Sequence, residues 1–334
     1  MKYIFAYCLE AYPVPLLLLM VEPLSWIGFC NPNATNAGSP HIGDNILSRD
    51  NLRVMTFNLL SSSKKRKSFP WENRRDGIVE VFRTLQPDVV GTQEANLEQL
   101  NDLCDRLPDY EFTGEGNLGP LQSHSADNWY NAIFYRRDTV KRLPTPGATF
   151  WLSPQPEQPA SRFALASRPR VAVWSLFEHR ATGKPFLFGT THLEAFMPGH
   201  RRQGARLIQE FVSQKLQELG QEMPVFLTGD FNAGADAPEI QDLGRETSDR
   251  AGLIDAWRHA GRAEDRDGAT FRGLDLRDRI GNWLLGHRRI DYVFFRPQLE
   301  VKEIERVDFD DLLGGAGLPP SDHYPVFAEF RLAS

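Results

Sequence analysis

The chain has 334 residues, 41% hydrophobic and 25% charged, the balance of an ordinary water-soluble globular protein. Its formal net charge of -6 argues against binding nucleic acid by overall charge, although basic clusters occur at Lys64-Lys65-Arg66-Lys67, Arg136-Arg137 and Arg201-Arg202. Three cysteines without a Cys-x-x-Cys pair speak against a thiolate zinc site or a disulfide framework, so Cys104 reads as a small buried apolar residue.

Residues 1–50 read as a poorly structured N-terminal segment. Its apolar stretch, Val14 to Val21, lies between Glu10 and Glu22, so a membrane span of about 20 apolar residues would bury a carboxylate. An export signal, whose apolar core needs only about 7–15 residues, fits better, with residues 31–50 as its spacer. The expectation is an extracytoplasmic or secreted protein; the alternative is a cytoplasmic one whose reading frame starts too early. From Asn51 the texture is uniform, and 51–334 is expected to form one mixed α/β domain in which strands outnumber helices.

Leu52 to Phe57 alternates as a strand and ends at Asn58. Ile78, Val79, Phe82 and Leu85 recur at helical spacing across Arg75 to Gln86, and Pro87 stops the helix. Asp88 to Glu94 is a short apolar run with a polar end, a buried strand, and Leu97 to Leu107 suggests another helix. Strands are predicted at Ala132–Tyr135, Val171–Leu176, Pro185–Thr191, Val225–Thr228, Ile290–Phe295 and Val326–Leu332, and the best helix at Gly204–Leu219. Leu143–Ala160, Asp230–Pro238 and Asp310–Pro320 are rich in Pro and Gly and read as loops.

Polar residues recur where the apolar strands end: Asn58, Glu94, His192, then Asp230 and Asn232 separated by Phe231. In an extended chain that last spacing puts Asp230 and Asn232 on one face. Asp291 lies inside an apolar strand and needs a partner or a cation. Ser321-Asp322-His323 precedes the final strand. Taken singly, each such residue is most often a turn former or a hydrogen-bonded structural group. Their recurrence in order is what suggests a site. Oxygen donors with few imidazoles suit Mg²⁺, with Mn²⁺ as a substitute, better than zinc. The chain has no Gly-x-x-x-x-Gly-Lys-Ser/Thr, no Gly-x-Ser-x-Gly and no His-Glu-x-x-His, so P-loop, serine-esterase and zincin chemistries are not offered.

The ordered pieces Thr56-Phe57-Asn58, Thr92-Gln93-Glu94, Thr191-His192-Leu193, Thr228-Gly229-Asp230-Phe231-Asn232, Arg289-Ile290-Asp291-Tyr292 and Ser321-Asp322-His323 resemble the endonuclease/exonuclease/phosphatase superfamily. The resemblance implies an α+β, DNase I-like four-layer α/β/β/α sandwich of two mixed sheets flanked by helices. It implies a divalent-metal-dependent phosphoesterase in which metal-activated water attacks the phosphorus. On this reading Glu94 is the principal Mg²⁺ ligand, with Asn58 and Asp322 completing the metal shell. Asp230 and Asn232 position water and phosphate, and Asp291 orients His323 against the phosphoryl group. His192 is a second general acid or a phosphate contact, and Arg170 a phosphate clamp. Two positions depart from the pattern of many relatives: Thr190 replaces an Asn, and Asn128-Trp129 replaces a Gly-Glu pair.

The resemblance does not name a substrate. A phosphate-ester substrate is expected, with nucleic acid among the candidates because Lys64–Lys67 and Arg201-Arg202 follow site residues closely. A nuclease or small-substrate phosphodiesterase therefore ranks first. A sphingomyelinase-type phospholipid diesterase, with Phe150-Trp151-Leu152 or Trp283-Leu284-Leu285 as a membrane-seeking hairpin, or an inositol-phosphate phosphatase ranks second. A non-catalytic binding module on the same fold would be expected to have lost the Glu, Asp or terminal His, and all three are present. A monomer is assumed.

Overall fold

The computed structural model describes residues 26–28, 50–62, 69–145, 148–219, 223–274, 288–314 and 318–332. Strands β1 (Trp26–Gly28), β2 (Asn51–Asn58), β3 (Val89–Gln93), β4 (Tyr110–Gly116) and β5 (Tyr130–Arg136) begin one sheet. The chain then builds a second sheet from β6 (Val140–Leu143), β7 (Thr149–Trp151), β8 (Val171–His179), β9 (Lys184–His192), β10 (Val225–Asp230), β11 (Ile254–Asp255) and β12 (Asp291–Arg296). It returns to the first sheet with β13 (Glu300–Arg306) and β14 (Val326–Arg331). The orders are β1-β4-β5-β3-β2-β14-β13 and β11-β12-β10-β9-β8-β6, with β7 pairing beside β8.

Period-2 alternation sorts each strand between two layers. Leu52 and Val54 of β2, Phe186 and Phe188 of β9, Phe226 of β10, and Val293 and Phe295 of β12 meet Val89, Ile133 and Phe330 between the sheets. The opposite faces carry Met55, Phe57 and Val90 under α1 (Arg75–Leu85) and α2 (Leu97–Arg106). On the other side Leu187, Leu227, Tyr292 and Phe294 lie under α3 (Pro198–Glu218) and α4 (Pro238–Leu243). The result is a four-layer α/β/β/α sandwich. Each fully buried Phe of the middle layer contributes about 1.5–3 kcal/mol. Two short helices, α5 (Ala256–His259) and α6 (Phe309–Leu313), complete the described elements.

The helix boundaries follow local chemistry. Gln86 ends α1 in a left-handed conformation just before Pro87, and Asn96 with Gln99 forms a capping box on α2. Several elements differ from the sequence-based expectation. Helix α3 starts at Pro198 rather than Gly204, since Pro is well suited to the first helical turn. The expected loops 143–160 and 310–320 contain β7 and part of α6. Strands β4, β6 and β13 were not anticipated; β13 lies at a sheet edge with Glu300, Lys302 and Glu303 exposed, which hides its alternation. Trp26–Gly28, inside the segment expected to be poorly structured, pairs antiparallel with β4 from Gly114 to Phe112. Cys104 is buried as expected, but it is disulfide-bonded, and its partner lies outside the described residues. Among the described residues no helix is long and apolar enough to cross a membrane.

Candidate active site

The site is where the inter-sheet layer stops being apolar. Three successive rungs show the change. In the first, Val54 pairs with Val89 on one sheet, while Phe226 lies between Phe188 and Phe295 on the other. One inward position on, the side chains are Thr56, Gly91, Thr190, Thr228 and Val293. Next come Asn58 beside Gln93, and Asp230 between His192 and Asp291. Strand parity therefore aims Asn58, His192, Asp230 and Asp291 into one space. The middle rung holds the sheets close: Gln93 Nε2 donates to Thr190 Oγ1 at 2.9 Å, and a Cβ on Gly91 would lie 2.0 Å from Thr228 Oγ1. Thr190, which stands where many relatives have Asn, thus serves the contact between sheets.

On the first sheet, Asn58 Nδ2 donates to Asp230 Oδ2 at 3.1 Å and to Glu94 Oε1 at 3.3 Å. Its Oδ1 accepts from Leu60 N at 3.1 Å, which orients the amide. Glu94 follows β3 at φ 68° and is half-buried, with Oε2 accepting from Ser61 N at 3.4 Å. Behind it the buried Arg74 donates to the carbonyls of Leu59, Leu60 and Pro320 at 2.7–2.9 Å. Ser321 Oγ donates to Asn58 O at 2.6 Å and so attaches the Ser-Asp-His segment to the end of β2.

On the second sheet, Asp230 is buried, with Oδ2 3.4 Å from His192 Nε2 and 3.6 Å from His323 Nε2. His323 Nδ1 lies 2.8 Å from Asp291 Oδ2. Burial and the Asp291 charge push the Asp230 carboxyl up to about 7, against the lowering effect of His323. Burial by itself would depress His323, but Asp291 and then Asp230 override it and hold the imidazole well above its usual value. His192 goes the other way: burial, then Arg170 and His323, push it well below. It is neutral at pH 7, so these electrostatics leave it the hydrogen-bonding role rather than that of a general acid. Among the described residues, Asp230, Asp291 and His323 form a group with ligand atoms within 4.8 Å of one another.

Asn232 does not share a face with Asp230 by strand alternation, because β10 ends at Asp230 and the chain turns. Asn232 takes φ 50°, its N–H bonds Asp230 Oδ1 at 2.9 Å, and its Nδ2 donates to Leu193 O at 3.0 Å. Phe231 meanwhile packs edge-on against Tyr292 and Phe294 in the outer layer. The turn needs Gly229 at φ 154°, where a Cβ would lie 2.2 Å from Thr191 O. Asp322 is buried and accepts from Ser321 Oγ at 3.4 Å. Arg170 is buried, with Nε 3.7 Å from Glu194 Oε2, and it lines a pocket with Glu94 and His192.

The basic clusters contribute less than their positions suggested. Arg201 is buried on α3 in an ion pair with Glu239, and Arg202 pairs with Asp242. Arg136 pairs with Asp88, beside the start of β3 and away from its Glu94 end. Lys64–Lys67 and Trp283-Leu284-Leu285 lie outside the described residues. Phe150, Trp151 and Leu152 are buried and offer no membrane-seeking hairpin. Sequence reading missed Arg74, the loop-tying Glu194, and Arg168, whose guanidinium lies 3.3 Å from the Trp129 ring centroid. The only signal for that pair was Trp129 itself, at a position where relatives carry an acid.

Two face-to-face mixed sheets with helices outside and a carboxylate–imidazole site at one edge define the DNase I-like fold. The pattern of the Endonuclease/Exonuclease/phosphatase family matches residues 55–323, and the chain belongs to that family. It is similar to a solved Bacteroides vulgatus protein of that family, at 28% identity and TM-score 0.69, covering 85% of this chain and 99% of that one. A Bacteroides thetaiotaomicron mannosyl-6-phosphatase structure is 27% identical at TM-score 0.67, over 84% of this chain and 99% of that one. Among curated proteins, Drosophila melanogaster Nocturnin is 25% identical over 85% of this chain and 47% of its own length. The chain spans about half the length of the curated relatives it matches, 47%, 53% and 60% for the three.

Proposed function

We propose that this chain hydrolyses phosphodiesters, in nucleic acid or a small substrate, with a divalent cation. The supporting observation is Asp230 Oδ2, which lies within 3.1–3.6 Å of Asn58 Nδ2, His192 Nε2 and His323 Nε2. A buried carboxylate with a raised pKa is suited to taking a proton from water. His323, kept protonated by Asp291, can donate to a phosphoryl oxygen as negative charge grows there. Neutral His192 adds a second ring nitrogen on the opposite side of Asp230 in the strand register.

The donor set fits a hard cation. Glu94 and Asn58 present oxygens side by side, and both hydrogen bonds to Glu94 are long, 3.3 and 3.4 Å, leaving lone pairs available. Asp291 Oδ1 is buried without a hydrogen-bond partner among the described residues, a further sign that a charged group is missing from its surroundings. Glu94, Asn58 and Asp322 would hold Mg²⁺ or Mn²⁺, with Asp291 and Asp230 as the competing ligands. When bound, the cation offsets charge on the phosphoryl oxygens.

A second reading, hydrolysis of a sugar-phosphate monoester, is favoured by the likeness to a mannosyl-6-phosphatase over nearly all of that chain. An oxidising, extracytoplasmic location is supported by the disulfide at Cys104, since such bonds are rare in reducing compartments. The deciding experiment compares bis-p-nitrophenyl phosphate with p-nitrophenyl phosphate, in Mg²⁺, Mn²⁺ or EDTA, for wild type and His323→Ala. Metal-dependent diester turnover that His323→Ala loses is the expected result. Turnover of the monoester alone selects the second reading, and turnover undiminished in EDTA overturns metal dependence.

A further inference from the structure

Glu94 and His192 also line a pocket outside the Asp230 constellation. Apart from Glu94, its charged lining among the described residues is Arg168 and Arg170. Arg170 is only 7% exposed, yet its Nε has no hydrogen-bond partner there, and the Glu194 carboxylate stands off at 3.7 Å. Trp129 Nε1 is likewise buried and without a partner among the described residues. An indole N–H and a guanidinium can only donate, so these groups call for an acceptor. Arg168 adds a cation, its guanidinium stacked on the Trp129 ring.

The arrangement is built rather than incidental. Asn117 Oδ1 accepts from Trp129 N at 2.9 Å, and its Nδ2 donates to Pro169 O at 3.2 Å. Asn131 Nδ2 donates to Val171 O at 2.6 Å. The two asparagines thereby hold the residues on either side of Arg170 to the β4–β5 hairpin. At the Trp129 position many relatives carry the Glu of a Gly-Glu pair. Here a negative charge is replaced by a donor with a cation stacked on it, which reverses what the pocket can accept.

We propose that this pocket is a second anion subsite, taking a phosphoryl group of the substrate other than the one hydrolysed. The favoured substrates are then phosphate esters carrying a neighbouring second phosphate, either a nucleotide with a terminal phosphate or a bisphosphorylated sugar. The proposal rests on the phosphoesterase reading and specifies its substrate class.

The test compares thymidine 3'-(p-nitrophenyl phosphate) with and without a 5'-phosphate. Charge-assisted hydrogen bonds at the subsite give the 5'-phosphorylated ester a KM about tenfold lower in wild type. In Arg168→Gln, and in Trp129→Phe, which keeps an aromatic face but deletes the N–H, the ratio of the two KM values falls towards one. Equal KM values in wild type, or a ratio that neither variant moves, would overturn the subsite. Calorimetric titration with thymidine 3',5'-bisphosphate and thymidine 3'-phosphate, in Mg²⁺, separates this outcome from failure of the phosphoesterase reading. If neither ester is hydrolysed, that reading falls. Tighter binding of the bisphosphate, lost in Arg168→Gln, still supports the subsite, and equal binding rejects it.

Discussion

Replacing Asp230 by Asn should stabilise the metal-free protein while abolishing turnover. Burial and Asp291 push the Asp230 carboxyl from 3.8 up to about 7. Because the folded-state value lies above the unfolded one, the native protein holds an extra proton between about pH 4 and about pH 7, and stability declines as pH rises through that window. Above it the whole penalty is present, roughly 3 pKa units or about 4 kcal/mol. Asn carries no charge and escapes it. The Asn side chain can still accept from Asn232 N but would turn its own NH₂ towards Asn58 Nδ2, which cannot flip without releasing Leu60 N. That lost hydrogen bond costs about 1 kcal/mol. The net expectation is a gain of roughly 3 kcal/mol at pH 8, shrinking to nothing or a small loss near pH 4. Urea denaturation in EDTA at both pH values reads it directly. A variant no more stable than wild type at pH 8, or a difference that does not change with pH, would refute the electrostatic argument.

Three further outcomes are expected. Glu94→Gln keeps the side chain's size but removes its charge, so the Mg²⁺-induced rise in melting temperature should disappear along with turnover; an unchanged Mg²⁺ titration removes Glu94 from the cation's shell. In Asp291→Asn the depressing effect of burial on His323 is no longer overridden by the Asp291 charge, so its pKa falls. The alkaline limb of the pH–rate profile should move to lower pH, with kcat reduced by about 10²–10⁴, and a limb that stays in place counts against His323 as the titrating group. Gly91→Ala inserts a Cβ 2.0 Å from Thr228 Oγ1 and 2.6 Å from Thr190 Oγ1, forcing the sheets apart. Overpacking of this kind costs about 1–3 kcal/mol, visible as a lower urea midpoint.

Much of this architecture is legible in the sequence because burial on both faces leaves strong marks. The apolar runs ending at Asn58, Glu94, His192 and Asp230 locate four strand ends, and the registers join two pairs of them, Asn58 beside Gln93 and His192 beside Asp230. Long-range partnerships leave no such mark. Nothing in the sequence says that Asn58 and Asp230, 172 positions apart, are 3.1 Å from each other. Edge strand β13 escapes notice because solvent removes the need for apolar residues. The Asp230–Asn232 turn is misread for a different reason. The spacing is the same for a strand and for a side-chain-capped turn, and only Gly229 hints that the strand has ended.

The three rungs also explain why the chemistry sits where it does. Phe188, Phe226 and Phe295 keep the sheets apart by the thickness of an aromatic layer, and the Thr rung then brings them within hydrogen-bonding distance. Beyond it the inward positions can no longer be filled by apolar contacts from both sides, so they are free to carry Asn, Asp and His. Those groups remain buried, and burial is what moves Asp230, His192 and His323 away from their ordinary proton affinities. A site at a loop surface would have the same side chains without the shifts. On this view the stability lost to an ionised Asp230 is inseparable from its use as a base, because both follow from placing a carboxylate at the open end of a packed layer. Variants that relieve the first should forfeit the second.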